Sequence, residues 1–429
     1  MPAPKSITLN DPKVINGWAF FDWANSAYAL VITVAIFPGY FSAVTDDVIQ
    51  IGGVELYSSS LYAYAISFSY LIAIILSPVL SGIADYGGRK KFFLRIFTTL
   101  GALACMSLFF FEGMSQLWLG IGGSVLASVG FAGGLVFYNS YLPEIATEDQ
   151  YDRVSARGFI FGFVGSVLLL LVNLMMIQKP EWFGISDSNF AVRLSFLMVG
   201  VWWLSWSLIP FNRLPADQPI KGQGTLVKKG FEELKKVYGK LKNLTNTKRF
   251  LLAFFFYNAG TQTVLYLAAT FAEKELQFET QELIITILIL QILAIAGAFL
   301  FARLSEWKGN KLSLLVMLVI WIAICLLAYL VQGKTQFYGI AAAVGLVMGG
   351  IQSLSRSTYS KLLPENTEDT TSFFSFYDVL EKGAIIMGTF SFGLIEQLTG
   401  GMRNSILALT VYFIIGIVIL LTVQIKNSN

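Results

Sequence analysis

Long apolar runs separated by short polar segments fill almost the whole chain. Twelve of these runs reach about twenty residues, the length that a helix needs to cross a bilayer. They occupy residues 17–41, 60–84, 93–112, 117–141, 157–178, 193–212, 249–272, 283–304, 312–332, 336–360, 372–397 and 404–425. We therefore expect an all-α integral membrane protein with twelve transmembrane helices. The first run is too long for the apolar part of a signal peptide, so we expect it to be retained as a span.

The composition agrees with a membrane protein. Of the 429 residues, 55% are hydrophobic and 13% are charged, whereas soluble domains have about 25% charged residues. The two cysteines, Cys105 and Cys325, lie singly within apolar runs, which argues against a disulfide framework. The chain has no histidine and so lacks the commonest metal ligand. We expect no metal site, no cofactor and no nucleic-acid partner.

The distribution of basic residues orients the chain in the membrane. Loops and tails on the side of the amino terminus carry 23 Lys and Arg residues, whereas the opposite loops carry five. Positively charged loops stay on the cytoplasmic side, and an even number of spans places both termini together. We therefore expect a multi-pass protein of the cell inner membrane with both termini in the cytoplasm.

One long polar connection divides the twelve spans into six and six. It covers residues 213–248, so we expect an amino-terminal lobe at 1–212 and a carboxy-terminal lobe at 249–429. Within the connection, apolar residues recur at helical spacing with lysines between them; they are Val227, Phe231, Leu234, Tyr238 and Leu241. This pattern predicts a basic amphipathic helix that lies on the anionic lipid surface. A solvated linker helix without a lipid role is the alternative.

The two halves contain an internal repeat. The segment "SGIADYGGRKK" at 81–91 aligns with "ARLSEWKGNKL" at 302–312, and "LPE" occurs at both 142–144 and 363–365. Both motifs follow corresponding spans, the second and the fourth of each half. Two parallel six-helix repeats are one architecture of secondary transporters.

The first copy of this repeat has the composition of a tight cytoplasmic turn. Gly82 permits close helix approach, Asp85 closes the helix, Gly88 supplies a turn residue, and Arg89 and Lys90 anchor the loop. An ordinary turn with basic anchors would have the same features. The segment "GIADYGGRKK" also resembles the signature between the second and third helices of the major facilitator superfamily. That resemblance implies a cytoplasmic gate in which the aspartate contacts the eleventh helix in the outward-open state.

Three further segments carry a narrower resemblance. They are "FFDWANSAY" at 20–28, "YNSYLPEI" at 138–145, and "SRSTYSKLLPE" with "FFSFYDVLEKGAIIMG" between 355 and 388. They resemble the major facilitator subfamily that includes the fungal vacuolar amino-acid effluxers of autophagy and bacterial permeases of unassigned substrate. The resemblance covers nearly all of the chain and implies the major facilitator fold, with two pseudo-symmetric lobes. The chain departs from the pattern of the broader superfamily in one respect, since its fourth span at 117–141 contains no arginine. No mechanism that uses this arginine is carried over.

Polar side chains concentrate in a few spans. In the fold that the resemblance implies, the first, fourth, seventh and tenth helices line the central cavity. The candidate substrate-binding residues are Asp22, Asn25, Tyr28, Tyr138, Asn139, Asn258, Gln262, Gln352, Arg356 and Lys382. For each amide or tyrosine, a hydrogen bond between helices without ligand contact is an equal alternative.

Charged residues inside spans cost free energy and indicate function more specifically than the amides and tyrosines do. In the eleventh span, Asp378, Glu381 and Lys382 are spaced so that Asp378 and Lys382 can pair. With Asp22 and Arg356 they make three acidic and two basic residues, which leaves one carboxylate without a partner. Three alternatives remain for this carboxylate. A proton neutralises it, it binds a cation or a cationic substrate, or it reaches the membrane interface near a helix end. We therefore name Asp22, Asp378 and Glu381 as proton-coupling candidates, in one charge network with Arg356 and Lys382.

These features favour a secondary active transporter and not an enzyme. We expect a monomer that moves a small polar solute, with an amino acid as the first candidate, by alternating access coupled to protons. A facilitative uniporter and a membrane-embedded enzyme such as an intramembrane aspartyl protease are the alternatives, although the G-x-G-D element of such proteases is missing. The chain also lacks the phosphate-binding loop of primary transporters.

Overall fold

The computed structural model describes residues 8–218, 226–364 and 367–425. Within these residues it contains fifteen α-helices and one pair of strands. The α-helices are α1 (Pro12–Ala27), α2 (Phe37–Val44), α3 (Ser58–Gly87), α4 (Lys90–Ser107), α5 (Leu117–Ser140), α6 (Leu142–Ile145), α7 (Tyr151–Gln178), α8 (Ser188–Arg213), α9 (Leu226–Asn243), α10 (Thr245–Leu276), α11 (Thr280–Lys308), α12 (Asn310–Leu330), α13 (Lys334–Lys361), α14 (Thr370–Thr399) and α15 (Met402–Leu421). Short 3₁₀ turns occur at Leu108–Phe110, Met114–Gln116, Glu148–Gln150 and Pro180–Phe183.

The first span is not a uniform α-helix. Between α1 and α2, residues Tyr28–Ile36 form a π-helix, a rare conformation that occurs mostly as single-turn insertions in α-helices and is frequent at functional sites. This wide-turn segment begins three residues after Asn25. The backbone of the first span is therefore irregular directly beside its polar residues.

A short β-hairpin connects the first two spans. Its strands, β1 (Val48–Ile51) and β2 (Val54–Tyr57), pair antiparallel with Val48 opposite Tyr57. The turn consists of Gly52 and Gly53, with φ of 58° and 83°, values that glycine adopts without steric cost. Strands of four residues are too short for the hydropathy pattern to reveal, so the sequence does not predict this hairpin.

Eleven helical stretches in the described residues are long and apolar enough to cross a membrane. The helix α14 has 30 residues and also has the length of a span, but Asp378, Glu381 and Lys382 reduce its hydropathy. With α14, the helical stretches coincide with the twelve predicted spans.

The chain divides into two compact units. The first comprises Met1–Asp11, Ser140–Ile160 and Phe231–Asn429. In this unit α11 and α13 pack backbone to backbone, since a methyl group at Gly349 would lie 2.0 Å from the carbonyl oxygen of Ala294. Such small-residue contacts are typical of membrane helices. The unit joins a stretch of the predicted amino-terminal lobe to the predicted carboxy-terminal lobe.

The second unit comprises Pro12–Asn139 and Phe161–Gly230. Its core includes the fully buried Trp203, whose ring packs against α4 where Gly101 leaves space for it. The division into lobes at 1–212 and 249–429 with a connector at 213–248 stays a prediction. Residues 219–225 of that connector lie outside the described residues.

Candidate functional site

In the second unit, α1 and α5 bring together two residues that the sequence singled out. The hydroxyl of Tyr138 donates a 2.6 Å hydrogen bond to Oδ2 of Asp22. The Tyr138 ring is stacked on Trp18, with centroids 4.4 Å apart, and on Phe21, with centroids 4.7 Å apart. Trp18 Nε1 donates to the Tyr138 carbonyl oxygen at 2.9 Å. The spacing of Trp18, Phe21 and Asp22 on one helix thus holds the phenol against the carboxylate.

This arrangement places a carboxyl group against a tyrosine that is itself stacked on two aromatic rings. Asp22 is 4% exposed, so its charge is removed from water, which favours either a partner or a bound proton. The phenol hydroxyl can donate to the ionised carboxylate, and a neutral carboxylic acid can share the same bond in the opposite direction. A role of Asp22 in proton coupling stays a prediction.

Two further predicted residues of α1 and its continuation differ in their contacts. The hydroxyls of Tyr28 and Ser128 are 2.8 Å apart and hydrogen-bonded, which links the π-helix to α5. Asn25 is fully buried, and neither polar atom of its amide has a hydrogen-bond partner among the described residues. Because buried polar atoms are nearly always satisfied, Asn25 is suited to bind a water molecule or a solute.

In the first unit, α14 carries an ion pair inside a span. Lys382 Nζ donates to Oδ1 of Asp378, one turn earlier, and both side chains are 4% exposed. Glu381 lies beside Lys382 and is partly buried. The pairing that the i, i+4 spacing indicates is therefore present.

Aromatic residues form the surroundings of this part of α14. The ring of Tyr377 is stacked on Phe254, with centroids 4.2 Å apart, and on Tyr359, with centroids 5.2 Å apart. The hydroxyls of Tyr257 and Ser355 are 2.7 Å apart and hydrogen-bonded. Residues of α10, α13 and α14 thus make one aromatic and hydroxyl-rich layer next to the ion pair.

Four remaining candidates, all with amide side chains, differ in their burial. Asn258 is buried, and its Nδ2 has no hydrogen-bond partner in the part of the chain that the structure describes. Gln262 and Gln352 are partly exposed. Asn139, in the second unit, is also partly exposed. Their part in substrate binding stays a prediction.

Arg356 is tied to the beginning of α7. Its Nε donates to the Ser155 hydroxyl at 2.9 Å and its Nη2 donates to the Ser155 carbonyl oxygen at 2.8 Å. Its guanidinium carbon also lies 4.3 Å from the centroid of the Phe159 ring. These contacts hold α13 against α7, and binding of a substrate by Arg356 stays a prediction.

A buried polar cluster joins the beginning of α7 to the end of α13 and includes residues that sequence reasoning missed. Asp152 accepts hydrogen bonds from Lys361 Nζ at 2.8 Å, from Asn310 Nδ2 at 2.7 Å and from the Ser305 hydroxyl at 2.9 Å. Lys361 also donates to Asn310 Oδ1 at 2.9 Å. The side chains of Asp152 and Lys361 are 3% and 5% exposed. We call Asp152, Ser305, Asn310 and Lys361 the Asp152 cluster.

An exposed ion pair accompanies the Asp152 cluster. Arg153 binds Glu306 through two hydrogen bonds of 3.0 and 3.1 Å. Glu306 is the repeat counterpart of Asp85, so the internal repeat was the signal that pointed to this position. Asp152 and Lys361 carried no such signal, because in the sequence they resemble ordinary charged residues at helix ends.

The predicted gate motif forms a tight turn in the second unit. Gly88 ends α3 with φ of 58°, whereas Gly87 remains helical, and the amide of Arg89 donates to the Ala84 carbonyl oxygen at 3.0 Å. A methyl group at Gly82 would lie 2.2 Å from the carbonyl oxygen of Gly230, so α3 touches the beginning of α9. Lys90 is buried. A gating role for Asp85 and its neighbours stays a prediction.

The helix α9 binds to the residue that precedes α14. Lys240 Nζ donates to Oδ2 of Asp369, and Lys236 Nζ lies 3.5 Å from Oδ1 of Asp369 and 2.6 Å from Oε1 of Glu233. Burial, and then the hydrogen bond with Asp369, raise the pKa of Glu233. Burial opposes the ionisation of Asp369, but hydrogen bonds with Glu233 and Lys240 and the nearby lysine charges hold its pKa below its usual value.

Comparison with known proteins identifies the family. A family model described as vacuole effluxer Atg22 like matches residues 10–429. The chain belongs to this family. The uncharacterized MFS-type transporter YxiO of Bacillus subtilis (strain 168) is 32% identical over 417 residues, which cover 96% of this chain and 95% of that protein. Autophagy-related protein 22 of Saccharomyces cerevisiae is 24% identical over 88% of this chain and 80% of that protein.

Solved structures share the fold of this Atg22-like chain. The MFS transporter FucP in the outward conformation matches with a TM-score of 0.73 at 15% identity, over 97% of this chain and 99% of that one. A bacterial homologue of the iron transporter ferroportin in the outward-facing state matches with a TM-score of 0.66 at 12% identity, over 95% and 98%. The predicted major facilitator fold and the predicted subfamily are confirmed. The Atg22-like chain is a multi-pass membrane transporter, and these relatives give no support to the protease alternative.

Proposed function

We propose that this Atg22-like transporter is a secondary active carrier of a small zwitterionic solute, with an amino acid as the first candidate. The observation that carries the proposal is the ion pair between Asp378 and Lys382 within α14. Two opposite charges buried in a span cost desolvation energy, and ionisable residues at such depth are by default functional.

A zwitterion can replace the contacts that this pair makes with itself. Lys382 would bind the carboxylate of the solute and Asp378 would bind its ammonium group. The number of charges in the site stays balanced when the solute binds, so neither residue is left unpaired in a low-dielectric environment. A neutral sugar offers no such exchange, and a simple cation or anion would satisfy only one partner.

Proton coupling is proposed for Asp22. Its carboxyl group is buried against the phenol of Tyr138 and can take up a proton that removes its charge. Glu381 and Asp378 are the other predicted proton acceptors. A facilitative uniporter with the same solute would not respond to a pH gradient, which separates the two alternatives.

Alternating access requires contacts that close one side of the transporter and then open. The Asp152 cluster has the properties of such a closure, since it is buried, ionic and formed between helix ends. The predicted gate motif with Asp85 is proposed to act on the same side.

We further propose that both termini are cytoplasmic and that the membrane is a cell inner membrane. The carrier is proposed to work as a monomer, and its basic connector is proposed to lie on anionic lipid.

Flux measurements in proteoliposomes test the proposal. The purified chain is reconstituted, and uptake of each of the common amino acids in labelled form is measured with and without an imposed pH gradient. We expect accumulation of one group of amino acids that depends on the gradient, and counterflow of labelled for unlabelled solute. Uptake of none of them, together with uptake of neutral sugars, would overturn the zwitterion proposal.

A further inference from the structure

The surface of α9 carries an apolar stripe that is exposed to the surroundings. Val227, Phe231 and Tyr238 are 50%, 52% and 53% exposed. Their separations of four and seven residues place them on one side of the helix. Large apolar side chains grouped in this way usually mark a surface that contacts another apolar medium.

Lysines run along the same side of α9. Lys228, Lys235 and Lys242 follow each other at intervals of seven residues and are all exposed. Lys242 Nζ lies 5.9 Å from the centroid of the Tyr238 ring. We call Lys228, Lys235 and Lys242 the lysine stripe. Aromatic and apolar residues beside lysines are the composition of a helix that lies at a membrane interface.

Other side chains of α9 are covered by protein. Val237 is fully buried and Leu241 is 8% exposed, and both belong to the core of the first unit. Lys236 and Lys240 contact Asp369, directly before α14. The sequence pattern grouped Leu241 with the exposed apolar residues, but in the structure the apolar positions divide between two faces.

The apolar stripe of α9 continues onto α14. The rings of Tyr238 and Phe376 have centroids 6.1 Å apart. Further along α14, exposed apolar residues recur at every fourth position; they are Ile386, Phe390, Leu394 and Leu398. In a transporter that spans the membrane, such a row faces the lipid chains. The apolar stripe of α9 thus contacts a helix whose later turns carry a lipid-facing row, and the lysine stripe is suited to the level of the headgroups.

We propose that the headgroups of anionic phospholipids bind the lysine stripe of α9, and that this binding stabilises the amino-terminal end of α14 through the contacts of Lys236 and Lys240 with Asp369. This proposal names the residues of the connector that bind lipid. An effect of lipid on transport rests on the proposed function, because α14 also carries the ion pair of Asp378 and Lys382. Charge complementarity identifies the lipid, since the three exposed lysines of the stripe outnumber Glu232, the exposed acidic residue between Lys228 and Lys235.

Spectroscopy on the full-length protein tests the lipid contact without knowledge of the solute. Phe231→Cys is labelled with a nitroxide in nanodiscs of phosphatidylcholine, or of phosphatidylcholine with one-quarter phosphatidylglycerol. The two native cysteines are fully buried and are expected to stay unlabelled. We expect the label to become less mobile and more accessible to oxygen when phosphatidylglycerol is present. High salt should reverse the change, because exposed charges are screened.

Hydrogen exchange of residues 367–380 tests the effect on α14. We expect phosphatidylglycerol to slow exchange in this segment by about fivefold, the population change that a single lysine at an anionic surface can produce. Replacing the lysine stripe with glutamine should abolish both effects. Replacing Lys13, Lys248 and Lys308, which are exposed lysines on other helices, should leave both effects in place.

Lys240→Gln separates the two parts of the inference. This variant should keep the lipid response of the label at position 231 and lose the lipid response of α14. If wild-type protein gives the same label spectrum in both lipids, the lipid contact is wrong. If the label responds but exchange of residues 367–380 does not, the link to α14 is wrong. Neither result depends on amino-acid flux, so both are distinguishable from a failure of the proposed function.

Discussion

The hydroxyl of Tyr138 donates to the carboxylate of Asp22 at 2.6 Å, and the Trp18 ring covers the face of the same tyrosine. This contact gives a carboxyl group in the first span a phenol donor, in a position that is only 4% exposed. Because burial penalises the charged form of a carboxyl group, we expect Asp22 to change its protonation state during a transport cycle.

Neutralising Asp22 should uncouple transport from the proton. Asp22→Asn keeps the size and hydrogen-bonding capacity of the side chain but removes the titratable group. We expect loss of accumulation driven by a pH gradient, while exchange of labelled for unlabelled solute persists. Tyr138→Phe serves as the control that removes the donor and keeps the carboxyl group, and it should retain coupling. Normal accumulation by Asp22→Asn would make Asp22 a packing residue.

Removing one member of the ion pair in α14 should cost more than removing both. Lys382→Ala leaves the Asp378 charge buried without its lysine, and breaking a buried pair typically costs roughly 3–5 kcal/mol. The double variant Asp378→Ala and Lys382→Ala leaves no such charge and should recover part of this stability. Thermal unfolding in detergent measures both. Lys382→Ala should also weaken solute binding; equal stability of all three proteins would show that the pair is solvated.

The two ionic contacts around the Asp152 cluster should differ in strength. Asp152→Asn removes the charge that pairs with the buried Lys361 and should raise the population of molecules in which α7 separates from α13. Arg153→Gln breaks an exposed pair, which is typically worth about 0–1 kcal/mol, and is the matched control. Distances between spin labels on α7 and α13 report the change. An identical distance distribution in both variants would argue against a closure by Asp152.

The proposed gate motif predicts a related effect. Asp85→Asn should weaken closure on the cytoplasmic side by removing a charge that complements a helix terminus, an interaction worth roughly 0.3–2 kcal/mol. A change of about 1.4 kcal/mol alters the ratio of two states tenfold. Spin-label distances should show more inward-open molecules, and an unchanged ratio would reduce Asp85 to a turn residue.

Packing of α9 against Asp369 should depend on pH. Packing raises the pKa of Glu233, so packing binds a proton more tightly. The resulting stabilisation of the packed state is fully present below pH 4.5 and is lost as the pH rises through the raised pKa. The lowered pKa of Asp369 acts in the opposite sense, because its contribution is present above 3.8 and is lost as the pH falls through the lowered pKa. Packing should therefore be tightest near pH 4 and loosen towards neutral pH.

The mobility of a nitroxide at position 231 measures this pH dependence. Glu233→Gln should abolish the loosening above pH 4, because the amide cannot ionise. Glu232→Gln, at the exposed neighbouring position, should behave like wild type. Mobility that is constant between pH 4 and 8 in the wild-type protein would contradict the assignment.

Local patterns predicted the parts of this molecule that depend on local chemistry. The spans follow from the length of the apolar runs, and the pair of Asp378 and Lys382 follows from a spacing of four residues on one helix. The π-helix at Tyr28–Ile36 could not be predicted, because the same apolar residues are equally compatible with an α-helix. The hairpin at 48–57 is too short to produce a pattern.

Contacts between distant parts of the chain were beyond sequence reasoning. Asp152 and Lys361 are separated by 209 residues, and each is unremarkable within its own segment. The contact of Tyr138 with Asp22 spans 116 residues; both were candidates, but only the packing of α1 on α5 shows that they touch. The division of apolar residues on α9 likewise depends on tertiary packing, which buries Val237 and Leu241 and leaves Tyr238 exposed.

The burial of the Asp152 cluster has a consequence for the uptake of water during the transport cycle. In the proposed opening, α7 parts from α11 and α13, and a carboxylate, an ammonium group and an amide acquire water together. Solutes that are excluded from protein surfaces disfavour states that expose more surface. The closure proposed for the Asp152 cluster therefore predicts that opening takes up water and responds to osmotic pressure. We expect a concentrated medium to slow the carrier and a dilute one to accelerate it, without any ligand that binds to the protein.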